Sequence, residues 1–292
     1  MNGVLLVAGP TSAGKTDVAI EVAEQFDAIV LSADAMQVYR RLDIGTGKAT
    51  AAERARVHHE GIDLVEPDEA FSAGDFVALG DRVVEQWPRV VVAGGTSLYL
   101  RSFLRGLVRT PAVDPELRSA LEARADLHEV LLRIDPPLAA RLHPADRVRL
   151  VRGIEVYRQT GRRLSDLQAE HATTPDRVPH RALWLDRDDL DARIDARVLA
   201  MVQAGWIDEV RAVLDAGFDR SLKPLQSLGY RHVCDHVIDG LSLDEAIRRT
   251  QRDTRHFARK QRTWMRGLGY PKVLGAPLAR ALQEAKALWG SA

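Results

Sequence analysis

Residues 9–16 read Gly-Pro-Thr-Ser-Ala-Gly-Lys-Thr, which is the spacing of a phosphate-binding loop, and they follow the apolar run Val4–Ala8. In such a loop, successive backbone N–H groups and a helix N-terminus offer partial positive charge to a phosphate. Lys15 adds a full charge, and the Thr16 hydroxyl is a predicted ligand of Mg²⁺, the expected cofactor. The predicted diphosphate-binding residues of the loop are Gly9, Pro10, Thr11, Ser12, Ala13, Gly14, Lys15 and Thr16.

Three short apolar runs are each followed by a turn and then by a helical pattern. The runs are Val4–Ala8, Ile29–Leu31 and Val90–Ala93. Continuous apolar runs are typical of parallel strands buried on both faces, and parallel sheets bind ligands at the carboxyl ends of their strands. The pattern therefore predicts that Lys15, Asp34 and Thr96 meet at one edge of a sheet.

The pattern changes near residue 111, where helical sequence rich in Arg, Ala and Leu begins. Asp114-Pro115 is typical of a helix start, and a strand returns at Ala182–Leu185. We predict an α/β fold, a P-loop NTPase-like core whose parallel sheet is flanked by helices, with an inserted all-helical domain. The core is predicted over 1–110 and 175–292, and the helical insertion over 111–174.

Composition excludes several classes of protein. The 292 residues carry 41 Lys and Arg against 41 Asp and Glu, and one cysteine, Cys234, which excludes a disulfide framework and is expected to be buried. The sequence has no apolar stretch of bilayer length and no signal-peptide pattern, so we expect a cytoplasmic protein without membrane contact. His58 and His59 are adjacent and therefore poorly placed to hold one metal ion together.

Positive charge is concentrated in two segments. Residues 141–163 contain seven arginines, and a helix predicted to begin with the capping box at Ser242 carries Arg248, Arg252, Arg255, Arg259, Arg262 and Arg266 along roughly 27 Å of one face. Almost no acid is interleaved with that stripe, so we favour a contact surface for a phosphate backbone over a solvated face. The opposite, buried face is predicted to include Phe257 and Trp264.

Asp34 is the acid that follows the second apolar run, and two roles are open to it. It could hold a Mg²⁺-bound water, or it could act as a general base. Gln37, three residues later, offers an amide of the kind that reads base edges, whereas Tyr39 is expected in the core.

Several motifs, taken in order, carry a family resemblance. They are the loop at 9–16, Ser-Ala-Asp-Ala-Met-Gln-Val-Tyr-Arg (32–40), Leu-Asp-Ile-Gly-Thr-Gly-Lys (42–48), His-His-Glu-Gly-Ile-Asp (58–63), Gly-Gly-Thr-Ser-Leu-Tyr-Leu-Arg (94–101), Arg-Gly-Ile-Glu-Val-Tyr-Arg-Gln-Thr-Gly (152–161), Gly-Tyr-Arg (229–231) and Thr-Arg-His-Phe-Ala-Arg-Lys-Gln-Arg-Thr-Trp (254–264). From residue 4 to about residue 266 the chain resembles the bacterial tRNA dimethylallyltransferases, also called isopentenyl-diphosphate:tRNA transferases.

The resemblance implies transfer of a dimethylallyl group from dimethylallyl diphosphate to N6 of the adenine immediately 3′ of a tRNA anticodon. It also implies that the helical insertion clamps the anticodon stem-loop. Asp34 would accept a proton from the amine, and Lys15 with Mg²⁺ would receive the leaving diphosphate. Thr96 would be the third catalytic residue. A monomer is expected.

The resemblance also implies the remaining binding residues. The tRNA-binding set is Asp34, Ala35, Met36, Gln37, Thr96, Arg118, Val148, Arg149, Leu150, Val151, Arg152, Arg255 and Arg259. Ala35 and Val148 replace a hydroxyl and an amide of the family pattern, and the Thr96 hydroxyl could equally be a helix cap. Either Arg193 or Arg197 is expected to grasp the diphosphate, the other forming a salt bridge.

Two other functions fit parts of the pattern. A P-loop kinase could use Asp34 as the base toward a small alcohol or nucleotide. A non-catalytic RNA-binding protein could use a bound nucleotide as a switch. The ordered motifs and the two basic segments favour the prenyl transferase.

Overall fold

The computed structural model describes residues 3–290. Within that span the strands are β1 (Val4–Ala8), β2 (Ile29–Ala33), β3 (His59–Glu60), β4 (Val90–Gly94), β5 (His180–Leu185) and β6 (Lys272–Val273). The helices are α1 (Lys15–Phe26), α2 (Ala51–Arg56), α3 (Ala73–Gln86), α4 (Ser97–Arg105), α5 (Pro115–Glu122), α6 (Leu127–Ile134), α7 (Pro136–Ala139), α8 (Arg147–Thr160), α9 (Leu164–Ala172), α10 (Leu190–Gln203), α11 (Trp206–Asp215), α12 (Tyr230–Asp239), α13 (Leu243–Arg266) and α14 (Pro277–Trp289).

All strand pairs are parallel, and the order across the sheet is β3-β2-β4-β1-β5-β6. Ala8 of β1 and Ala33 of β2 are both in register with Gly94 of β4. The turns that begin at the next residues therefore leave the sheet side by side. The predicted α/β class, the four predicted strands and their shared carboxyl edge are confirmed.

Both faces of the sheet are covered. Alternate residues of β1 enter two apolar clusters, with Leu6 in one and Leu5 and Val7 in the other. Every residue of β1 and β2 is buried, which is why these strands read as continuous apolar runs. The two-residue strands β3 and β6 were not predicted, because they are too short to carry a pattern.

The chain divides into two compact units. One extends to Leu104 and resumes at Arg177, and the other is Arg105–Asp176. The second unit contains α5–α9 around its own core, which includes Leu131, Leu150 and Ile154. The sequence predicts the α/β core over 1–110 and 175–292 and the helical insertion over 111–174. Residues 1, 2, 291 and 292 of the predicted core lie outside the described residues.

The basic helix α13 begins directly after the predicted cap, Ser242. The Ser242 hydroxyl accepts a hydrogen bond from the Glu245 N–H at 3.3 Å, and the helix runs to Arg266. The prediction of its buried face is wrong at Phe257, which is exposed. Cys234 is buried as expected. Of the helices between residues 3 and 290, none is both long and apolar enough to cross a membrane.

Candidate active site

The phosphate-binding loop connects β1 to α1. Gly9 closely approaches β5, because a Cβ there would lie 2.6 Å from the Leu185 carbonyl oxygen. Gly14, with φ of 89°, immediately precedes the first helical residue, Lys15. The first N–H groups of a helix have no acceptor within the helix, so those that open α1 are available to an anion. Gly9 and Gly14 thus allow the shape of the turn, and the N-terminus of α1 supplies partial positive charge to the loop.

The ammonium group of Lys15 donates a 2.8 Å hydrogen bond to the Pro10 carbonyl oxygen. Burial is the main influence on its pKa, which is lowered to about 8; attraction to Asp34 acts in the opposite direction, and repulsion by Arg197 lowers the pKa further. Among residues 3–290 no carboxylate lies within ion-pairing distance of this buried cation, which is therefore ready for an incoming anion.

Asp34 follows β2, and its carboxylate accepts a 2.9 Å hydrogen bond from the Met36 N–H. The Thr96 hydroxyl accepts a 3.0 Å hydrogen bond from the Ala35 N–H, and the Thr96 N–H donates to the Ala33 carbonyl at 3.2 Å. The turn after β4 is therefore bonded to the turn that carries Asp34. This bond positions the turn that carries Asp34; the catalytic role and the helix-cap role of the Thr96 hydroxyl both stay predictions.

These groups line one cavity of about 530 Å³, here called the main cavity. Its wall includes Lys15, Thr16, Asp34 and Thr96. A second cavity of about 400 Å³ is also bordered by Lys15 and Thr16, together with Arg193 and other residues. The predicted acid and the predicted anion site thus line a single cavity, and the phosphate-binding loop also borders the second cavity.

Gln37 and Glu209 hold another wall of the main cavity. The Gln37 amide accepts from the Ser32 hydroxyl at 2.7 Å and donates to the Gly47 carbonyl at 3.1 Å. The Glu209 carboxylate accepts from the backbone N–H groups of residues 43–45 at 2.7, 2.6 and 3.2 Å. Both polar atoms of Gln37 are therefore occupied within the protein, so the predicted contact between Gln37 and adenine stays a prediction.

Both candidate arginines lie beside the phosphate-binding loop. Arg193 donates a 3.1 Å hydrogen bond to the Ser12 carbonyl oxygen, and Arg197 borders both cavities. Burial and the neighbouring Arg193 lower the pKa of Arg197, against the attraction of Asp34 and Asp17. Within residues 3–290 neither arginine forms an ion pair, so the salt bridge expected for one of them is not found.

The arginines of α13 are less free than their sequence suggests. Arg255 pairs with Asp195 and Arg262 with Asp186, while Arg259 lies 3.5 Å from Asp191. These acids come from outside α13, mainly from α10, so the folded chain supplies to the stripe the acids that the sequence of α13 itself almost lacks. Arg259 keeps 59% of its side chain exposed, and its contact with tRNA stays a prediction, as does that of Arg255.

The predicted tRNA-binding stretch of α8 is only partly at the surface. Val148 is exposed, and Arg149 is exposed beside Asp146. Leu150 and Val151 are buried in the core of their unit, which contradicts direct contact by their side chains with RNA. Helical periodicity explains this, since neighbouring residues point to different faces.

Arg118 and Arg152 both bind the carboxylate of Glu155, whose side chain is fully buried. Their charges compensate a buried acid, which would be costly if left unpaired. The charged end of Arg118 is directed inward, towards this buried acid. A contact between either arginine and tRNA stays a prediction.

Several residues of the main cavity were not predicted. Gln261 of α13 bonds the phosphate-binding loop, and Phe257, Lys260 and Trp264 of the same helix line the main cavity. One signal was present: Gln261 lies on the face of α13 that buries small and apolar side chains, where an amide needs a partner.

The donors present suit Mg²⁺ bound largely through a substrate. In the described part of the chain no three His, Cys, Asp or Glu residues cluster to hold a metal. Mg²⁺ commonly binds one or two protein oxygens together with phosphates and water, and Thr16 offers such an oxygen beside both cavities. The Nδ1–H of His59 donates a 2.8 Å hydrogen bond to the Val57 carbonyl oxygen, and burial lowers the pKa of this imidazole.

Comparison with known proteins gives a consistent result. The family model described as IPP transferase matches residues 37–268, and that described as Isopentenyl transferase matches residues 2–63. The protein named tRNA dimethylallyltransferase 1 from Citrifermentans bemidjiense is 44% identical over 89% of this chain and 88% of its own. The protein of the same name from Syntrophotalea carbinolica is 45% identical over 89% of this chain and 87% of its own.

Solved structures are similar as well. The full-length tRNA isopentenylpyrophosphate transferase from Bacillus halodurans is 30% identical, with a TM-score of 0.70 over 100% of this chain and 97% of its own. A eukaryotic dimethylallyltransferase acting on tRNA has a TM-score of 0.83 over 98% of this chain and 77% of its own. Its identity of 24% supports the fold alone.

Proposed function

The chain belongs to the IPP transferase family, and from that premise we propose that it is a tRNA dimethylallyltransferase. It transfers the dimethylallyl group of dimethylallyl diphosphate to N6 of adenine 37, immediately 3′ of the anticodon, and releases diphosphate. The observation that carries the proposal is the shared main cavity, which is lined by Asp34 as well as by Lys15 and Thr16 of the phosphate-binding loop.

The phosphate-binding loop receives the diphosphate of the donor. Lys15 and Arg197 supply positive charge, and the N-terminus of α1 supplies oriented N–H groups. These groups stabilise the charge that develops on the departing oxygen, so the loop serves a leaving group and transfers no phosphate. The Thr16 hydroxyl, the diphosphate and water would hold Mg²⁺, which when bound neutralises charge on the leaving group.

Asp34 accepts the proton of the nucleophile. The lone pair of N6 forms a bond to C1 of the dimethylallyl group while the C1–O bond to diphosphate breaks. The proton lost from N6 passes to the Asp34 carboxylate, and the electron pair of the broken bond leaves with the diphosphate. The hydrogen bond from Ala35 to Thr96 holds the turn that presents Asp34.

An adenine stacked in an RNA loop cannot reach this carboxylate, so it must rotate out into the main cavity. Phe257 and Trp264 lie on the cavity wall, and aromatic side chains stack readily on unpaired bases. Arg259 and Arg149 are the exposed cations that we expect beside the tRNA phosphates, with the helical unit Arg105–Asp176 clamping the anticodon stem-loop. We place the reaction in the cytoplasm and expect a monomer.

A transfer assay tests the proposal. Purified protein, Mg²⁺, dimethylallyl diphosphate labelled in its prenyl carbon and unmodified tRNA are incubated together, and acid-precipitable label is counted. We expect label in RNA and one diphosphate released for each prenyl group. Unlabelled RNA together with phosphate transfer from ATP to a small alcohol would instead support the kinase.

A further inference from the structure

Gln261 of α13 bridges two loops of the active site. Its Oε1 accepts a hydrogen bond from the Thr11 N–H at 3.0 Å, and its Nε2 donates to the Gly95 carbonyl oxygen at 3.0 Å. The orientation of the amide is fixed by these partners, because the N–H can only donate and the carbonyl can only accept. The side chain is buried, so the loss of either bond would leave a polar group with few alternative partners.

The phosphate-binding loop, the turn that contains Gly95 and helix α13 approach one another closely at Gly95. A Cβ at Gly95 would lie 2.4 Å from the Gln261 nitrogen and 3.0 Å from the Gly9 carbonyl oxygen. The glycine thus lets the phosphate-binding loop, the turn ending in Thr96 and helix α13 converge on one amide. Thr96, the residue after Gly95, accepts a hydrogen bond from the Ala35 N–H beside Asp34. Gln261 is therefore bonded directly to the phosphate-binding loop and, through Gly95 and Thr96, is connected to the turn that carries Asp34.

We propose that Gln261 is a positioning residue that fixes the phosphate-binding loop relative to the turn carrying Thr96, and fixes both on helix α13. This inference rests on the proposed transfer reaction. The same helix lines the main cavity with Phe257 and Lys260, where the adenine is expected to enter. Gln261 therefore sets the spacing between the diphosphate held by the loop and the amine that attacks its prenyl carbon.

Two substitutions test this role, each compared with wild type. Gln261→Met keeps the length of the side chain and removes both hydrogen bonds, so we expect kcat to fall about tenfold or more, with tRNA affinity within about twofold of wild type. Gln261→Glu keeps the acceptor for Thr11 but, when ionised, lacks the proton for Gly95. Burial raises the pKa of such a carboxyl group, so the donor returns as the pH falls.

The pH profile separates positioning from simple structural support. The ratio of kcat in Gln261→Glu to that in wild type should rise as the pH is lowered from 8 to about 5.5, whereas the ratio for Gln261→Met stays flat. Gln251→Met is the matched control, since Gln251 lies on the same helix and donates one hydrogen bond, to the Asp195 carbonyl.

The proposal is supported if the control keeps wild-type kinetics and the Glu ratio depends on pH. It is overturned if Gln261→Met turns over like wild type. It is also overturned if both Gln261 variants have a lower melting temperature and weaker tRNA binding than wild type, while the ratio of kcat in Gln261→Glu to that in wild type does not change with pH. A wild-type protein that transfers no prenyl group would instead refute the proposed function.

Discussion

The guanidinium group of Arg197 lies so close to Gly47 that a Cβ at residue 47 would come within 1.8 Å of its Nη2. Gly47 has φ of 60°, in the left-handed region that favours glycine, and its carbonyl accepts the hydrogen bond from Gln37. This glycine therefore fixes one wall of the main cavity and also determines where Arg197 can stand beside Lys15.

Gly47→Ala should displace Arg197 and weaken donor binding. We expect the KM for dimethylallyl diphosphate to rise about tenfold, with tRNA affinity unchanged, and we expect the double variant with Arg197→Ala to be no worse than Arg197→Ala alone. Gly240→Ala is the control, because Gly240 has φ of 73° and nothing within 4 Å of a Cβ. If the KM for dimethylallyl diphosphate rises equally in Gly47→Ala and Gly240→Ala, backbone strain and not displacement of Arg197 explains the weaker donor binding.

Donor binding should weaken at alkaline pH because burial lowers the pKa of Lys15 to about 8. The protonated amine binds diphosphate; it predominates below pH 8 and is lost as the pH rises through that value. The kcat/KM for the donor, which reports the free enzyme, should therefore fall above pH 8. An arginine keeps its charge in this range, so Lys15→Arg should remove the fall in kcat/KM above pH 8. If the fall persists in Lys15→Arg, a group other than Lys15 causes it.

Glu209→Gln should destabilise the fold. The Glu209 carboxylate accepts three backbone N–H groups at residues 43–45 and the Tyr230 hydroxyl, at 2.7 Å for the last. An amide offers one oxygen in place of two charged ones, so we expect a loss of about 2–4 kcal/mol in the free energy of unfolding, measured in urea.

Asp208→Asn is the control for Glu209. It changes the adjacent carboxylate, which is 78% exposed and pairs with Arg211, so its effect should stay within about 0.5 kcal/mol. If the two variants unfold at the same urea concentration, Glu209 does not hold the cavity wall.

Arg259→Ala should reduce the salt dependence of tRNA binding. If Arg259 neutralises one phosphate, the slope of log K against log salt should become shallower by about 0.7–0.9. Arg211→Ala on α11 removes a comparably exposed cation and should leave the slope unchanged. An unaltered slope in Arg259→Ala would place this face of α13 in plain solvent.

The parts of the site that follow from local sequence could be predicted. The strand of apolar residues before Gly9 and the cap at Ser242 depend on neighbours within a few residues, and both are found. The rule that ligands lie at the carboxyl edge of parallel strands then predicts that Asp34 and Lys15 line the same site.

The remainder depends on contacts between distant segments. Gln261 is 250 residues from Thr11, and Glu209 is 165 residues from Ile44, so no local pattern reveals either bond. The acid that pairs with Arg255 belongs to another helix for the same reason. Phe257 was expected in the core because it is apolar, but it borders a cavity.

Asp34 is the proposed acceptor of the proton from an adenine amine whose attack expels diphosphate from the phosphate-binding loop. The decisive experiment is mass spectrometry of anticodon-loop nucleosides after incubation of tRNA with dimethylallyl diphosphate, Mg²⁺ and either wild type or Asp34→Asn. We expect N6-dimethylallyl adenosine at position 37 with wild type, and formation at least about a hundredfold slower with Asp34→Asn at unchanged tRNA affinity. Equal rates with the two proteins, or a prenyl group on another atom of the RNA, would refute this role of Asp34.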